Sequence, residues 1–369
     1  MNMHPTVRRL EHYLTRSIDG SLFGIVLALL ALGLVVLVSA SNLNAARVTA
    51  QLANMLIALG VLWLFANIPP HYLMRLAAPL YVLGVLLLIA VALFGDVVHG
   101  ARRWLDLGIT RIQPSEFMKI AVPLALAWYF DRHEKALRLG NYAVAVVMLV
   151  IPVALIARQP DLGTAVLITA GGFFVLFLAG LSWRIIAGLA IAGAAVLPLV
   201  WSALRDYQRQ RILTLIDPTQ DPLGTGYHTI QSMIAVGSGG WFGKGWLNGS
   251  QTHLDFIPER TTDFVFAVYA EEFGLLGCLV LLGLYLAAIS RGMLITANAA
   301  TMFERLLSGA ITLTFFTYAF VNMGMVSGIL PVVGLPLPLI SYGGTALVSI
   351  CLGFGILMSI NSHKKLVQT

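Results

Sequence analysis

Runs of roughly twenty apolar residues recur along the whole of this 369-residue chain, separated by short polar connections. A hydrocarbon layer of about 30 Å is crossed by about 20 residues of α-helix. Stretches that meet this requirement lie near 21–40, 49–67, 75–95, 115–131, 141–157, 162–180, 185–203, 263–290, 304–330 and 339–361. The chain is 58% hydrophobic and 11% charged, against about 25% charged in soluble domains. The expected fold is therefore an all-α integral membrane protein of about ten transmembrane helices. Residues 1–369 are expected to form a single polytopic domain, with an N-terminal interfacial segment (1–20) and a large extracytoplasmic loop (204–262) between helices 7 and 8.

The first apolar run is long enough to span, and no small-residue cleavage pattern follows it, so it reads as a helix and not as a cleaved signal. Ahead of it, Val7, Leu10, Leu14 and Ile18 recur at helical spacing with Arg8, Arg9 and Arg16 on the other face. That pattern fits an interfacial helix on a cytoplasmic leaflet as well as it fits a solvated tail. With both termini inside, the basic residues of the short connections favour the cytoplasmic side once the 204–262 loop is set aside. The net charge of +6 is thus a membrane signature and no hint of nucleic acid.

The cations that break this rule are informative. Arg102, Arg103 and Arg111 share one outer connection, GARRWLDLGITRIQPSE, and Arg158 opens another, RQPDLGT. Cations on the disfavoured side suit either an anionic ligand or lipid headgroups. The 204–262 connection carries DYQRQR, DPLGTGYH, a short apolar stripe (Ile230, Met233, Ile234) and the glycine-rich GSGGWFGKGWLNGS. Loops of this length tend to be functional. The 328–345 stretch, GILPVVGLPLPLISYGGT, is broken by prolines and glycines. Irregular backbone at membrane depth is tolerated where it is buried in protein or lines a cavity, although a plain connector would look the same.

Charges inside the apolar layer are costly unless paired. Glu116 and Lys119 are spaced i, i+3 and share one helix face. They can pack helices as an ion pair, shape a polar cavity, or do both. Asp161 opens the sixth apolar run and suits an N-cap. Asp263 stands where the long loop ends and FVFAVYAEEFGLLG begins. It can be a cap, or a carboxylate positioned to act as general base toward a hydroxyl. Glu271 and Glu272 follow further along the same run and are expected to lie deeper, as interior structural or coupling residues.

No G-x-x-x-x-G-K-[ST], H-E-x-x-H or G-x-S-x-G pattern is present. Cys278 and Cys351 sit in apolar runs, and the eight histidines have no ligand spacing. The residues alone therefore lead to a polytopic membrane protein with an outward polar site suited to an anionic lipid substrate.

Six blocks carry a resemblance that covers nearly the whole chain. They are RWLDLGITRIQPSE (103–116), RQPDLGT (158–164), DYQRQR (206–211), DPLGTGYH (221–228), the long 234–274 stretch through TTDF, and GILPVVGLPLPLISYGGT (328–345). In that order they resemble the SEDS family (shape, elongation, division and sporulation), and its elongation branch more than its division branch. The resemblance implies a peptidoglycan glycosyltransferase of the bacterial inner membrane that polymerises lipid II on the outer face. It places Asp263 at the family's essential aspartate, Glu116 and Lys119 at a functional ion pair, and Trp104 at a sensitive tryptophan. Thr261 departs from the His found in many relatives. The resemblance also implies a divalent cation (Mg2+ or Mn2+), and as partners a class B penicillin-binding protein (the transpeptidase) and other elongation-complex membrane proteins. Arg102, Arg103, Arg111, Arg158 and Lys244 are the expected stabilisers of the departing pyrophosphate. A lipid II flippase is the alternative.

Overall fold

A computed structural model describes residues 17–98, 101–106, 111–134, 138–203, 209, 213–215, 217, 225–253, 256–257 and 259–363. The N-terminal amphipathic stretch before residue 17, the DYQRQR block apart from Arg209, and parts of the 204–262 connection lie outside the described residues. Helices α1 (Gly20–Ala40), α2 (Ala45–Ala66) and α3 (Pro70–Phe94) come first. Strands β1 (Asp96–Val98), β2 (Ala101–Asp106) and β3 (Arg111–Ile112) follow. Then come α4 (Pro114–Arg132), α5 (Leu139–Arg158), α6 (Leu162–Leu178), α7 (Trp183–Ala203), α8 (Thr225–Ser238) and the single turn α9 (Ser250–His253). The chain closes with α10 (Val265–Ala297), α11 (Met302–Val326) and α12 (Gly344–Ser362).

Among the described residues seven helices are long and apolar enough to cross a membrane: α1, α2, α3, α5, α10, α11 and α12. The three other expected spans are helical but fall short in different ways. Helix α6 and the Trp183–Val196 stretch of α7 are apolar but shorter, and α4 carries Glu116, Lys119, Asp131 and Arg132. The expectation of an all-α chain is also corrected. The Arg102–Arg111 connection forms a small antiparallel meander, β1-β2-β3, with Val97 opposite Arg102 and Asp106 opposite Arg111. Pairing satisfies its backbone groups locally, which a bare loop at a membrane boundary would leave to water.

Three helices are tied together at one end of the bundle. Asp19 caps α1 by accepting from Leu22 N at 2.9 Å, and it takes Arg291 of α10 at 2.5 Å and Asn361 of α12 at 2.8 Å. The opposite end of α1, at Ala40, meets Arg260, whose Nε donates to Ala40 O at 2.7 Å. Small residues allow close approach between these elements, as in other membrane bundles. Helix α8 illustrates this: Thr229, Ser232 and Ala235 are buried, whereas Met233 and Ile234 face outward. Ser232 Oγ donates to Val326 O of α11 at 3.0 Å.

Helix α10 is broken at Gly274, whose φ of 63° lies in the left-handed region. A residue with a Cβ is strained there, and the break strands backbone groups that need partners. The glycine-rich stretch after α8 supplies them. Lys244 N donates to Glu271 O and Gly245 N to Glu272 O, both at 3.0 Å; Leu275 N donates to Gly240 O at 2.9 Å and Leu276 N to Trp241 O at 3.1 Å. GSGGWFGKGW is therefore a plug seated in the broken helix, with Trp241 and Phe242 left exposed and Trp246 Nε1 bonded to Val35 O of α1 at 3.0 Å.

Candidate functional site

Asp263 precedes α10, and its surroundings are set by backbone brackets. Asn322 of α11 is fully buried and spends both amide protons on carbonyls: Asp263 O at 2.8 Å and Leu335 O at 2.6 Å. Ser341 Oγ donates to Thr262 O at 2.6 Å and accepts from Leu337 N at 2.7 Å. Tyr342 N donates to Thr261 O at 2.8 Å. Gln51 of α2 holds the same segment, donating to Ser341 O and accepting from Gly343 N, each at 3.3 Å. The carboxylate itself faces Gly334, where a Cβ would stand 3.4 Å from Asp263 Oδ2.

Helix α1 serves as a ruler for depth. Ile340 packs on Gly33 so closely that a Cβ there would be 2.8 Å from Ile340 Cα. Glu272 is instead bonded by Ser39 Oγ. At 1.5 Å per residue, Gly33 lies roughly 9 Å farther from the Ala40 end than Ser39 does. Helix α2 agrees, because Gln51 lies roughly 9 Å inside its Ala45 end. The Thr261–Asp263 turn is thus bonded through Ser341 to a segment packed at Gly33, while Arg260 just before it donates from Nε to Ala40 O at 2.7 Å, near the Ser39–Glu272 bond. The break at Gly274 turns the first part of α10 off the line of the second, so distance along the sequence does not set how Glu271 and Glu272 lie relative to Asp263.

The expected ion pair is present. Lys119 Nζ lies 2.5 Å from Glu116 Oε1 and also donates to Tyr318 Oη of α11. Ser349 of α12 donates to Glu116 Oε2 at 3.1 Å. The pair therefore locks α4, α11 and α12, and only 5% of the Lys119 side chain is exposed. Tyr318 is one turn from Asn322 on α11, so this cluster and the Asp263 bracket share a helix face. An apolar cavity lined by Ile120, Ala288, Ile311, Phe315, Ile350 and Phe354 closes on Lys119, Tyr318 and Ser349. Asp161 caps α6 as expected, accepting from Thr164 N at 3.2 Å, and also accepts from Gln113 Nε2 at 3.2 Å.

The expected anion-binding residues divide. Arg102 on β2 and Arg158 at the end of α5 are exposed. Arg103 is half-buried and donates from Nε to Gln159 O at 3.2 Å and from Nη2 to Pro160 O, fastening the meander to the α5–α6 turn. Trp104 is half-buried in β2, opposite Asp96. Arg111 is placed in β3, and its side chain lies outside the described residues. Lys244 stands apart from Asp263 in the plug, 2.7 Å from the fully buried Glu271 carboxylate and 2.8 Å from Ser250 Oγ. Glu271 also accepts from Ser250 Oγ, Gln251 N and Thr252 Oγ1. Glu271 is accordingly the anchor of the plug.

Sequence reasoning passed over Asn322, Ser341, Gln51, Tyr318 and His228. The first four are polar groups inside apolar helices or beside prolines, and such groups mark sites by their cost. His228 stacks on Phe264 with ring centroids 5.8 Å apart, and its Nδ1 is buried without a partner. Burial lowers its pKa below the ordinary histidine value, with the Glu259 carboxylate acting in the opposite sense.

The family model for cell cycle proteins of the FtsW, RodA and SpoVE type matches residues 20–366. The chain belongs to this family. The peptidoglycan glycosyltransferase MrdB of Escherichia coli K12 is 50% identical over 352 residues, 95% of either chain. A probable peptidoglycan glycosyltransferase FtsW of Thiomicrospira cyclica is 37% identical, covering 96% of this chain and 94% of that one. Among solved structures, the Thermus thermophilus rod shape determining protein RodA aligns with a TM-score of 0.70 at 30% identity, covering 92% of this chain and 95% of that one. A chain from a peptidoglycan synthase complex, solved for the coordination of polymerization and crosslinking, aligns with a TM-score of 0.81 at 36% identity, covering 93% and 97%. The fold is thus that of a multi-span FtsW/RodA-type membrane protein.

Proposed function

We propose that this chain is a RodA-type peptidoglycan glycosyltransferase that polymerises lipid II, with Asp263 as general base. The observation that carries the proposal is Asp263, held through its backbone carbonyl by Asn322 one turn from the buried Glu116–Lys119–Tyr318 cluster, in a chain 50% identical to a peptidoglycan glycosyltransferase. The topology that goes with it is ten spans in the bacterial inner membrane, both termini cytoplasmic, and the 204–262 connection and the Asp263 recess facing the periplasm.

Asp263 takes the proton of the acceptor sugar's 4-hydroxyl as that oxygen attacks the donor's anomeric carbon. The bond from that carbon to pyrophosphate breaks, the leaving group keeps the electron pair, and inversion gives a β linkage. The proton then passes from Asp263 to solvent. Exposed Arg102 and Arg158 suit the charge that develops on the pyrophosphate. Among the described residues no group of three or more His, Cys, Asp or Glu is placed to hold a metal ion. A divalent cation, Mg2+ or Mn2+, would accompany the pyrophosphate and neutralise its charge. The partners are a class B penicillin-binding protein and further elongation-complex membrane proteins, a reading supported by the likeness to a chain of a synthase complex.

Purified protein given labelled lipid II with Mg2+ or Mn2+ tests the reading. Glycan chains from the native protein and none from Asp263→Asn are expected. Translocation without chains would favour the flippase, and polymerisation by Asp263→Asn would remove the base assignment.

A further inference from the structure

The Asp263 carboxylate does not reach its place through its own helix. It sits ahead of α10, at a turn whose carbonyls are held from two other elements. Asn322 Nδ2 bridges Asp263 O and Leu335 O at 2.8 and 2.6 Å. Ser341 Oγ takes Thr262 O at 2.6 Å. Asn322 is fully buried and Ser341 is 6% exposed, while Thr262 and Asp263 are half-buried, so each bond is anchored from the protein interior. Asn322 joins the turn to the very segment that contains Gly334, the residue facing the carboxylate. The two donors therefore fix both the carboxylate and the wall opposite it.

Resting on the glycosyltransferase reading above, we propose that Asn322 and Ser341 are positioning residues, which aim the Asp263 carboxylate at the acceptor hydroxyl by bonding the carbonyls on either side of it. Neither needs to touch substrate. Asn322 has one amide group with two protons, and both are committed to carbonyls. Ser341 has one proton, committed to Thr262 O. The arrangement ties the base to Gly334 and to Tyr318, one turn away on α11 and bonded to Lys119 of α4. Removing either donor lets the turn relax, and misplacement of a reacting group by about 1 Å costs on the order of a hundredfold in rate.

The test uses the full-length protein in detergent with labelled lipid II and Mg2+. Ser341→Ala deletes one donor with little change in volume, and Asn322→Leu deletes two at similar size. Rates are normalised to the folded fraction from gel filtration and circular dichroism, well below each variant's unfolding midpoint. The expected result is a fall in kcat of roughly tenfold or more with KM for lipid II within about threefold of native. Should Asn322→Leu fail to fold, Ser341→Ala decides alone. Unchanged kcat per folded molecule would show both residues to be structural only. A raised KM with native kcat would make them substrate-binding groups and overturn the proposal equally. Asp263→Asn, run alongside, separates the two levels: if it polymerises, the base assignment is wrong, and if it is inactive while Ser341→Ala and Asn322→Leu are native, only the positioning role falls.

Discussion

Gly33 of α1 packs on the Leu339–Ile340 backbone, and its replacement by alanine should impair the chain. A Cβ at Gly33 would stand 2.8 Å from Ile340 Cα and Leu339 O, and 2.9 Å from Ile340 O. All three are backbone atoms, so no side chain can swing aside. Carbon atoms prefer separations of about 3.5–4.0 Å, which requires the Ile340 backbone to retreat by about 0.7 Å. Ser341 is the next residue, and it holds Thr262 O at 2.6 Å. Either that bond stretches to a marginal length or the Thr261–Asp263 turn is dragged along. Overpacking of this kind costs about 1–3 kcal/mol, and half an ångström of misplacement at a base costs roughly tenfold in rate. Gly24 on the same helix is the control, since nothing lies within 4 Å of a Cβ there. Gly24→Ala should be neutral, or more stable by up to about 1 kcal/mol. Thermal unfolding in detergent and gel-resolved glycan chains from lipid II measure the two effects. If Gly33→Ala matched Gly24→Ala in both, the 335–341 segment would not be braced on α1 and the coupling of Gly33 to the Asp263 turn would be refuted.

Lys119→Met should destabilise the fold by about 3–5 kcal/mol, because it leaves Glu116 unpaired among α4, α11 and α12; Glu116→Gln with Lys119→Met should recover most of the unfolding midpoint but not polymerisation. Lys244→Met removes one donor from the buried Glu271 and leaves those of Ser250, Gln251 and Thr252. It should lower stability by about 1.5–3 kcal/mol while rate per folded molecule stays within a few-fold of native, and a selective loss of kcat would instead restore Lys244 to the pyrophosphate site. His228 has its pKa lowered by burial, so the unfolded chain takes up a proton at a higher pH than the folded one. Stability should be full above the unfolded value of about 6.5 and decline as pH falls from there through the folded value; His228→Gln should flatten that decline in pH-dependent melting curves.

Legibility in the sequence followed the range of the interaction. The Glu116–Lys119 pair and the Asp161 cap depend on neighbours three residues away, so spacing alone exposed them. Helix positions were equally local, because a run of apolar residues sets its own length against the bilayer. The small meander was missed because its strands are only two to six residues long, and arginine content said more about charge than about pairing. Arg103 and Lys244 show the limit of reading cations as ligand sites. Their donors are committed within the chain, to the α5–α6 turn and to Glu271.

The placement of Asp263 relative to Glu271 and Glu272 was out of reach for a related reason. A single glycine, Gly274, breaks a run whose hydropathy is continuous. Nothing local distinguishes it from Gly277 or Gly283, which remain helical. What makes the break stable is the plug from Gly240–Gly245, which completes the hydrogen bonds of a helix that begins after it in the sequence. Once the break exists, the register of the second part of α10 no longer fixes where residues earlier in the run lie. A carboxylate carried by an unbroken helix would have been fixed by that helix's register. This one hangs on Asn322 and Ser341 instead, so its placement depends on how α11 and the proline-rich 328–343 segment sit together. Asn322 and Ser341 are uncharged, buried and distant in sequence, and substitutions there should separate rate from substrate affinity more cleanly than substitutions among the arginines.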